Sequence, residues 1–192
     1  MQKLLNLPNI LTLSRIAAVP VVILLLMFES KQTCLWAAVI FTLASMTDWL
    51  DGYLARKWGV VTVLGKFLDP LADKLIVMAA LIMLIPLDRV PAWAVFIILA
   101  REIIVTGIRS IASSEGIVID ASPLGKYKTI FQMIAIVVLL LHYRYYWFFG
   151  LQHDFLYPSM HEVGMVIFYI SLVLTIWSGV DYFAKFFRVF AK

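Results

Sequence analysis

Four aspartates, Asp48, Asp51, Asp69 and Asp73, fall within the segment TDWLDGYLARKWGVVTVLGKFLDPLADK, which runs from Thr47 to Lys74 between two strongly apolar stretches. On a helix, residues three or four apart are neighbours. Asp48 and Asp51 would therefore share one face and Asp69 and Asp73 another, with Gly59 to Gly65 as the turn that brings the two faces together. Carboxylates at membrane depth are costly and mark functional sites by default. Four of them at short range cannot all stay ionised unaided. Protonation is one remedy and a divalent cation is the other. The segment offers oxygen ligands and no His or Cys, which suits a hard ion such as Mg²⁺, Mn²⁺ or Ca²⁺ and does not suit zinc. Two facing pairs have room for two ions, the arrangement that serves displacement at a phosphate or diphosphate.

The small residues between the acids admit two readings. Gly52, Gly65 and Ala55 would let a bulky ligand approach the backbone, and Arg56 offers a planar fork of donors to phosphate oxygens. Alternatively, the same small residues simply allow two helices to pack closely.

The elements that must position these groups follow from composition. Apolar residues make up 63% of the 192-residue chain and charged residues 15%, against roughly 45–50% and 25% in a typical soluble domain. Mean hydropathy is +0.95. The expected class is an all-α integral membrane protein folded as a single domain over 1–192, without a polar linker. A spanning helix needs about 20 mostly apolar residues, and six segments qualify: 9–29, 33–57, 67–86, 91–112, 124–147 and 159–187. Lys3 ahead of an apolar run resembles a secretory signal, but Arg15 interrupts that run and no small-x-small site follows, so a retained helix is expected. The Tyr-, Trp- and Phe-rich stretch from Tyr145 to Pro158 reads as a headgroup-level belt.

Six spans place both termini on one side. Of the 16 Lys and Arg, only Lys31, Arg89 and Arg144 fall on the other. Positive residues stay cytoplasmic, so both termini and the acidic cluster at the ends of spans two and three are expected to face the cytosol across the cytoplasmic membrane. Because this excess is the ordinary orientation signal, the net charge of +4 gives no support to nucleic-acid binding. Cys34 is the single cysteine, so no internal disulfide forms.

The run D48-x2-D51-G52-x2-A55-R56-x8-G65-x3-D69-x3-D73 resembles the full signature of the CDP-alcohol phosphotransferases, with every position occupied at the expected spacing. The six-span layout is similar as well, so the likeness covers nearly the whole chain. It implies a CDP-linked lipid whose diphosphate binds two divalent ions, Mg²⁺ or Mn²⁺, and an alcohol that attacks the lipid-side phosphorus and displaces CMP. It further implies that Asp48, Asp51, Asp69 and Asp73 are metal ligands and that Asp73 is also the general base. By the same resemblance Gly52, Ala55, Arg56 and Gly65 line the CDP-lipid site, and the protein pairs as a homodimer.

The acceptor must be read outside the signature. Arg101 and Arg109 lie toward the cytosolic end of span four, about 12 Å apart along the axis. Lys126 and Lys128 open span five, and Arg15 sits inside span one after Asn9 and Thr12. Arg15 and Arg101 lie deeper than an orientation signal requires. A cationic pocket beside the metals fits an alcohol that itself carries a phosphate, glycerol 3-phosphate best of all, with CDP-diacylglycerol as the donor. The stretches NLPNILTLSRI, REIIVTGIR and GKYKT also resemble the phosphatidylglycerophosphate-forming branch of the family. Against this, Arg101 has an ordinary partner in Glu102, and lysines at a span end often snorkel to headgroups.

Other readings fit less well. The same fold could use phosphatidylglycerol, inositol phosphate or serine as acceptor. An Asp-rich membrane prenyltransferase leaves the G-x2-A-R and G-x3-D-x3-D elements unexplained. A divalent-cation carrier needs polar residues continuing across the membrane, and LIVMAALIMLI after Lys74 has none. His142, His153 and His161 fall near the outer interface and are expected to be interfacial, with no metal to hold.

Overall fold

The computed structural model describes residues 7–58, 63–115, 123–143 and 159–190, with side chains from residue 10 onward apart from 48–67, 69, 70, 189 and 190. The described residues form six helices and no strand: α1 (Leu7–Met27), α2 (Lys31–Trp58), α3 (Val63–Leu84), α4 (Ala92–Ser114), α5 (Pro123–Leu141) and α6 (Met160–Phe190). Each coincides with one of the six expected segments. The belt expected over 145–158, with His153, lies outside the described residues.

Two helix starts are written into the sequence as reciprocal caps. The Ser30 hydroxyl accepts from the Thr33 N–H at 3.1 Å while Thr33 Oγ1 accepts from the Ser30 N–H at 3.1 Å, opening α2. At the head of α6, Ser159 Oγ accepts from the Glu162 N–H and Glu162 Oε2 accepts from the Ser159 N–H, at 3.2 and 3.1 Å. Glu29, Asp88 and His142 take positive φ, 45°, 54° and 48°, and mark the reversals after α1, α3 and α5. Hydropathy is a poor guide to these ends. Helix α3 begins at Val63, ahead of the apolar run, so Gly65 and Asp69 lie inside it. Helix α5 stops at Leu141, short of the expected 147, because His142 turns the chain.

The helices alternate in direction. Helix α1 packs on α2 and α3, α5 packs most extensively on α6 and also on α2, and α4 lies against α6. The core is apolar, with Val22, Phe41, Leu81, Ile98, Ile136 and Phe168 fully buried. It also encloses Thr12, Arg15, Arg89, Lys128, Gln132 and Ser171, while Trp36, Leu43, Phe96, Ile103, Val173 and Trp177 are exposed. Large apolar side chains on the surface of the bundle suit a lipid surrounding, since soluble surfaces rarely carry contiguous apolar patches. Among the described residues, three stretches are long and apolar enough to cross a bilayer: Ile10–Met27, Pro123–Leu141 and Met160–Arg188. Close packing of α5 on α6 depends on Gly164, where an added Cβ would meet Leu139 Cγ at 2.8 Å.

Arg89, one of the few basic residues assigned to the far side, is 3% exposed. Its Nη1 donates to the carbonyls of Leu139 and Leu140 at 3.1 Å each, and Nη2 donates to Cys34 Sγ at 3.2 Å. The last carbonyls of a helix have no intrahelical partner and carry the negative end of its dipole, so one guanidinium caps α5 and reaches α2. The Tyr143 ring lies 5.7 Å from it, and the Tyr143 hydroxyl donates to Glu29 O at 2.6 Å. Arg89→Leu leaves those buried carbonyls unpaired, and a loss of about 2–3 kcal/mol of stability is expected. Thermal unfolding in detergent measures it, and a variant as stable as the parent would show that Arg89 is no cap.

Candidate functional site

The backbone places Asp48, Asp51, Gly52, Ala55 and Arg56 in the last turns of α2, and Gly65, Asp69 and Asp73 in the first turns of α3. The side chains of all but Asp73, and that of Asn9, lie outside the described residues. The described part of the site is therefore what surrounds Asp73.

Asp73 lies on the wall of a cavity of about 490 Å³. Helix α3 contributes Asp73 and Lys74, α4 contributes Arg101, Glu102, Thr106 and Arg109, α5 contributes Lys126 and Lys128, and α6 contributes Ser178 and Tyr182. These come from the start of α3 and α5 and the second half of α4 and α6, the ends that alternating helices bring to one side. Five cations (Lys74, Arg101, Arg109, Lys126 and Lys128) stand against two carboxylates, Asp73 and Glu102. The excess of positive charge makes the wall of this hollow electrostatically suited to a small anion.

The cations are held in place. Glu102 Oε1 accepts from Arg101 Nη1 at 3.2 Å and from Lys128 Nζ. The guanidinium of Arg101 also donates from Nη2 to Ser178 Oγ at 3.1 Å. Its stem passes α6 at Gly179, where an added Cβ would stand 3.3 Å from Arg101 Cγ. Lys74 Nζ donates to Thr106 Oγ1. Arg109 lies 5.8 Å from the centre of the Tyr182 ring, a cation–π contact, and the buried Tyr182 hydroxyl has no hydrogen-bond partner.

Four of the basic residues singled out from the sequence, Arg101, Arg109, Lys126 and Lys128, thus meet Asp73 around one cavity. Thr12 and Arg15 do not line it; they are buried on α1, at 0% and 1% exposure. Glu102 was weighed only as a partner for Arg101, yet it is the anion on which two cations converge. Lys74, Thr106, Ser178 and Tyr182 also line the cavity and are not among the residues singled out from the sequence. One signal for the α6 residues was present: Ser171, Thr175, Ser178 and Tyr182 recur at helical spacing, and all four are buried. At the opposite end of α5, the rings of His142 and His161 lie 5.1 Å apart. Burial, with Arg89 and His161 nearby, holds the His142 imidazole below its usual range.

The sequence profile of the CDP-alcohol phosphatidyltransferase family matches residues 5–177. The chain belongs to that family. Among its family relatives, the CDP-diacylglycerol–glycerol-3-phosphate 3-phosphatidyltransferase of Bacillus subtilis (strain 168) is 41% identical, with 94% of each chain covered. The Rickettsia bellii enzyme of the same name is 41% identical over 93% of each chain. The cardiolipin synthase (CMP-forming) of Oryza sativa subsp. japonica is 38% identical over 99% of this chain and 60% of its own. In this CDP-alcohol phosphatidyltransferase the four aspartates occupy the last turns of α2 and the first turns of α3.

Proposed function

We propose that this protein transfers a phosphatidyl group from CDP-diacylglycerol to glycerol 3-phosphate, giving phosphatidylglycerophosphate and CMP. The observation that carries the acceptor is the cavity in which Lys74, Arg101, Arg109, Lys126 and Lys128 surround Asp73. A nucleophile and a dianion can be held there together. The relatives named for this reaction, at 41% identity over nearly the full length, support the same reading.

The reaction follows from the residues. A primary hydroxyl of the acceptor, lodged at Asp73, attacks the lipid-side phosphorus of the diphosphate. The new P–O bond forms as the bond to CMP breaks, and the hydroxyl proton passes to the Asp73 carboxylate. An alcohol is a poor nucleophile until such a base takes its proton in the transition state. The donor set of Asp48, Asp51, Asp69 and Asp73 is all oxygen, which fits Mg²⁺ or Mn²⁺. Two such ions would neutralise charge on the bridging oxygen. Gly52, Ala55, Arg56 and Gly65 would line the cytidine-diphosphate site. Asn9, Thr12 and Arg15 belong to α1, which packs on α2 and α3 and supplies no described residue to the cavity around Asp73, and would act on the acceptor only indirectly.

The placement in the cell belongs to the same proposal. All six helices cross the cytoplasmic membrane as one domain over 1–192, with both termini and the site on the cytosolic side. Exposed apolar side chains on α2, α3 and α4, including Trp36, Ile82 and Phe96, support spans beyond the three that are continuously apolar. Pairing into a homodimer rests on the family resemblance alone.

Purified protein with CDP-diacylglycerol and a panel of glycerol 3-phosphate, inositol, inositol phosphate, serine and phosphatidylglycerol tests the reading through CMP release. Turnover with glycerol 3-phosphate is expected to exceed the others by at least about 100-fold, to stop on exhaustive chelation and to return with Mg²⁺ or Mn²⁺. Equal use of an acceptor without a phosphate, or turnover that survives chelation, would sink it.

A further inference from the structure

A second hollow, about 60 Å³, adjoins the cationic cavity. The two share Asp73, Lys74, Glu102, Lys128 and Thr129. Past those residues the smaller one is walled by apolar side chains, Val77, Met78, Leu99 and Met133, with Gln132 as the exception. Gln132 is one helical turn beyond Lys128 on α5 and is 4% exposed. Its Oε1 is buried and has no hydrogen-bond partner. Buried amide oxygens are nearly always satisfied, so one that is not calls for a ligand or a water.

We propose that Gln132 selects the acceptor by hydrogen-bonding its second, non-attacking hydroxyl. The inference rests on the reading of glycerol 3-phosphate as the acceptor and deepens it. That molecule has three carbons. With one hydroxyl at Asp73 and the phosphate among Arg101, Arg109 and Lys126, the middle hydroxyl remains to be placed. The small hollow opens where the two spaces meet at Asp73. Its volume holds about two waters, enough for a hydroxyl and not for a ring. The hydroxyl donates to Gln132 Oε1, the one polar side chain among the described residues that line the hollow past those the two spaces share. A site built to hydrogen-bond a substrate hydroxyl discriminates against the analogue that lacks it, because the buried partner is then left unpaired.

The test compares glycerol 3-phosphate with 3-hydroxypropyl phosphate, which keeps the attacking hydroxyl and the phosphate and lacks the middle hydroxyl. The wild-type protein is expected to favour glycerol 3-phosphate by about tenfold or more in kcat/KM. In Gln132→Met, similar in volume and apolar, kcat/KM for glycerol 3-phosphate falls by about the same factor while that for the analogue holds. The preference then approaches unity with KM for CDP-diacylglycerol unchanged. A wild-type protein indifferent to the middle hydroxyl overturns the proposal without any variant. So does a Gln132→Met protein that keeps the wild-type preference. Failure of the wild-type protein to use glycerol 3-phosphate at all would be a different result, overturning the proposed function and this inference with it.

Discussion

Asp73→Asn is expected to lower kcat by about 10³-fold or more, within or beyond the range by which a positioned base accelerates proton transfer. Asn keeps the size and planarity of the carboxylate but cannot accept the hydroxyl proton at neutral pH. The cations that would hold the acceptor, Arg101, Arg109 and Lys126, come from α4 and α5, whereas Asp73 is on α3. The remaining three aspartates, and the amide oxygen of the new Asn, would still hold the ions that bind the diphosphate. Binding of CDP-diacylglycerol should therefore change by less than about threefold, since a group acting in the transition state contributes little to ground-state affinity. CMP release under saturating substrates gives the first quantity, and equilibrium binding of the nucleotide lipid gives the second. Wild-type turnover would remove Asp73 as the base. Loss of donor binding in step with turnover would make it a ligand and nothing more.

What could be read in advance divides along a physical line. Local patterns were legible. Six apolar runs became six helices, and the reciprocal caps at Ser30 and Ser159 are written within four residues each. The aspartate spacing put two acids at the end of α2 and two at the start of α3 because helix geometry fixes it. Pairings across the bundle were not legible. Glu102 and Lys128 are 26 residues apart, and Arg101 and Ser178 are 77 apart; no periodicity announces a partner on another helix. Charge counting also left the role of Arg89 unread. An orientation rule sees a cation near a helix end, while the folded chain buries it as the cap of α5. Helix ends failed for a related reason. Polar residues carry the helix on at the start of α3, and the positive φ of His142 ends α5 ahead of the expected boundary.

The cross-bundle pairing at Glu102 carries the other large effect. Lys128 is 4% exposed, and its Nζ donates to Glu102 Oε1, which also accepts from Arg101. Glu102→Leu removes the anion and leaves two cations facing each other in the bundle. Breaking a buried pair from one side costs about 3–5 kcal/mol, because the partner charge stays desolvated. A large fall in melting temperature in detergent is expected, with a raised KM for glycerol 3-phosphate as Arg101 and Lys128 lose their placement. Structural and binding roles then separate in Glu102→Leu combined with Lys128→Met, which removes both charges. Most of the lost stability should return, since an apolar pair can replace a buried ion pair at little or no cost. KM for glycerol 3-phosphate should stay high, because Arg101, which meets the phosphate, has lost the carboxylate that places it. Contacting residues are expected to be non-additive in such a cycle. A Glu102→Leu protein as stable as the parent would show the pair to be solvated. A double variant with wild-type KM would show that Glu102 does not place Arg101 for the acceptor.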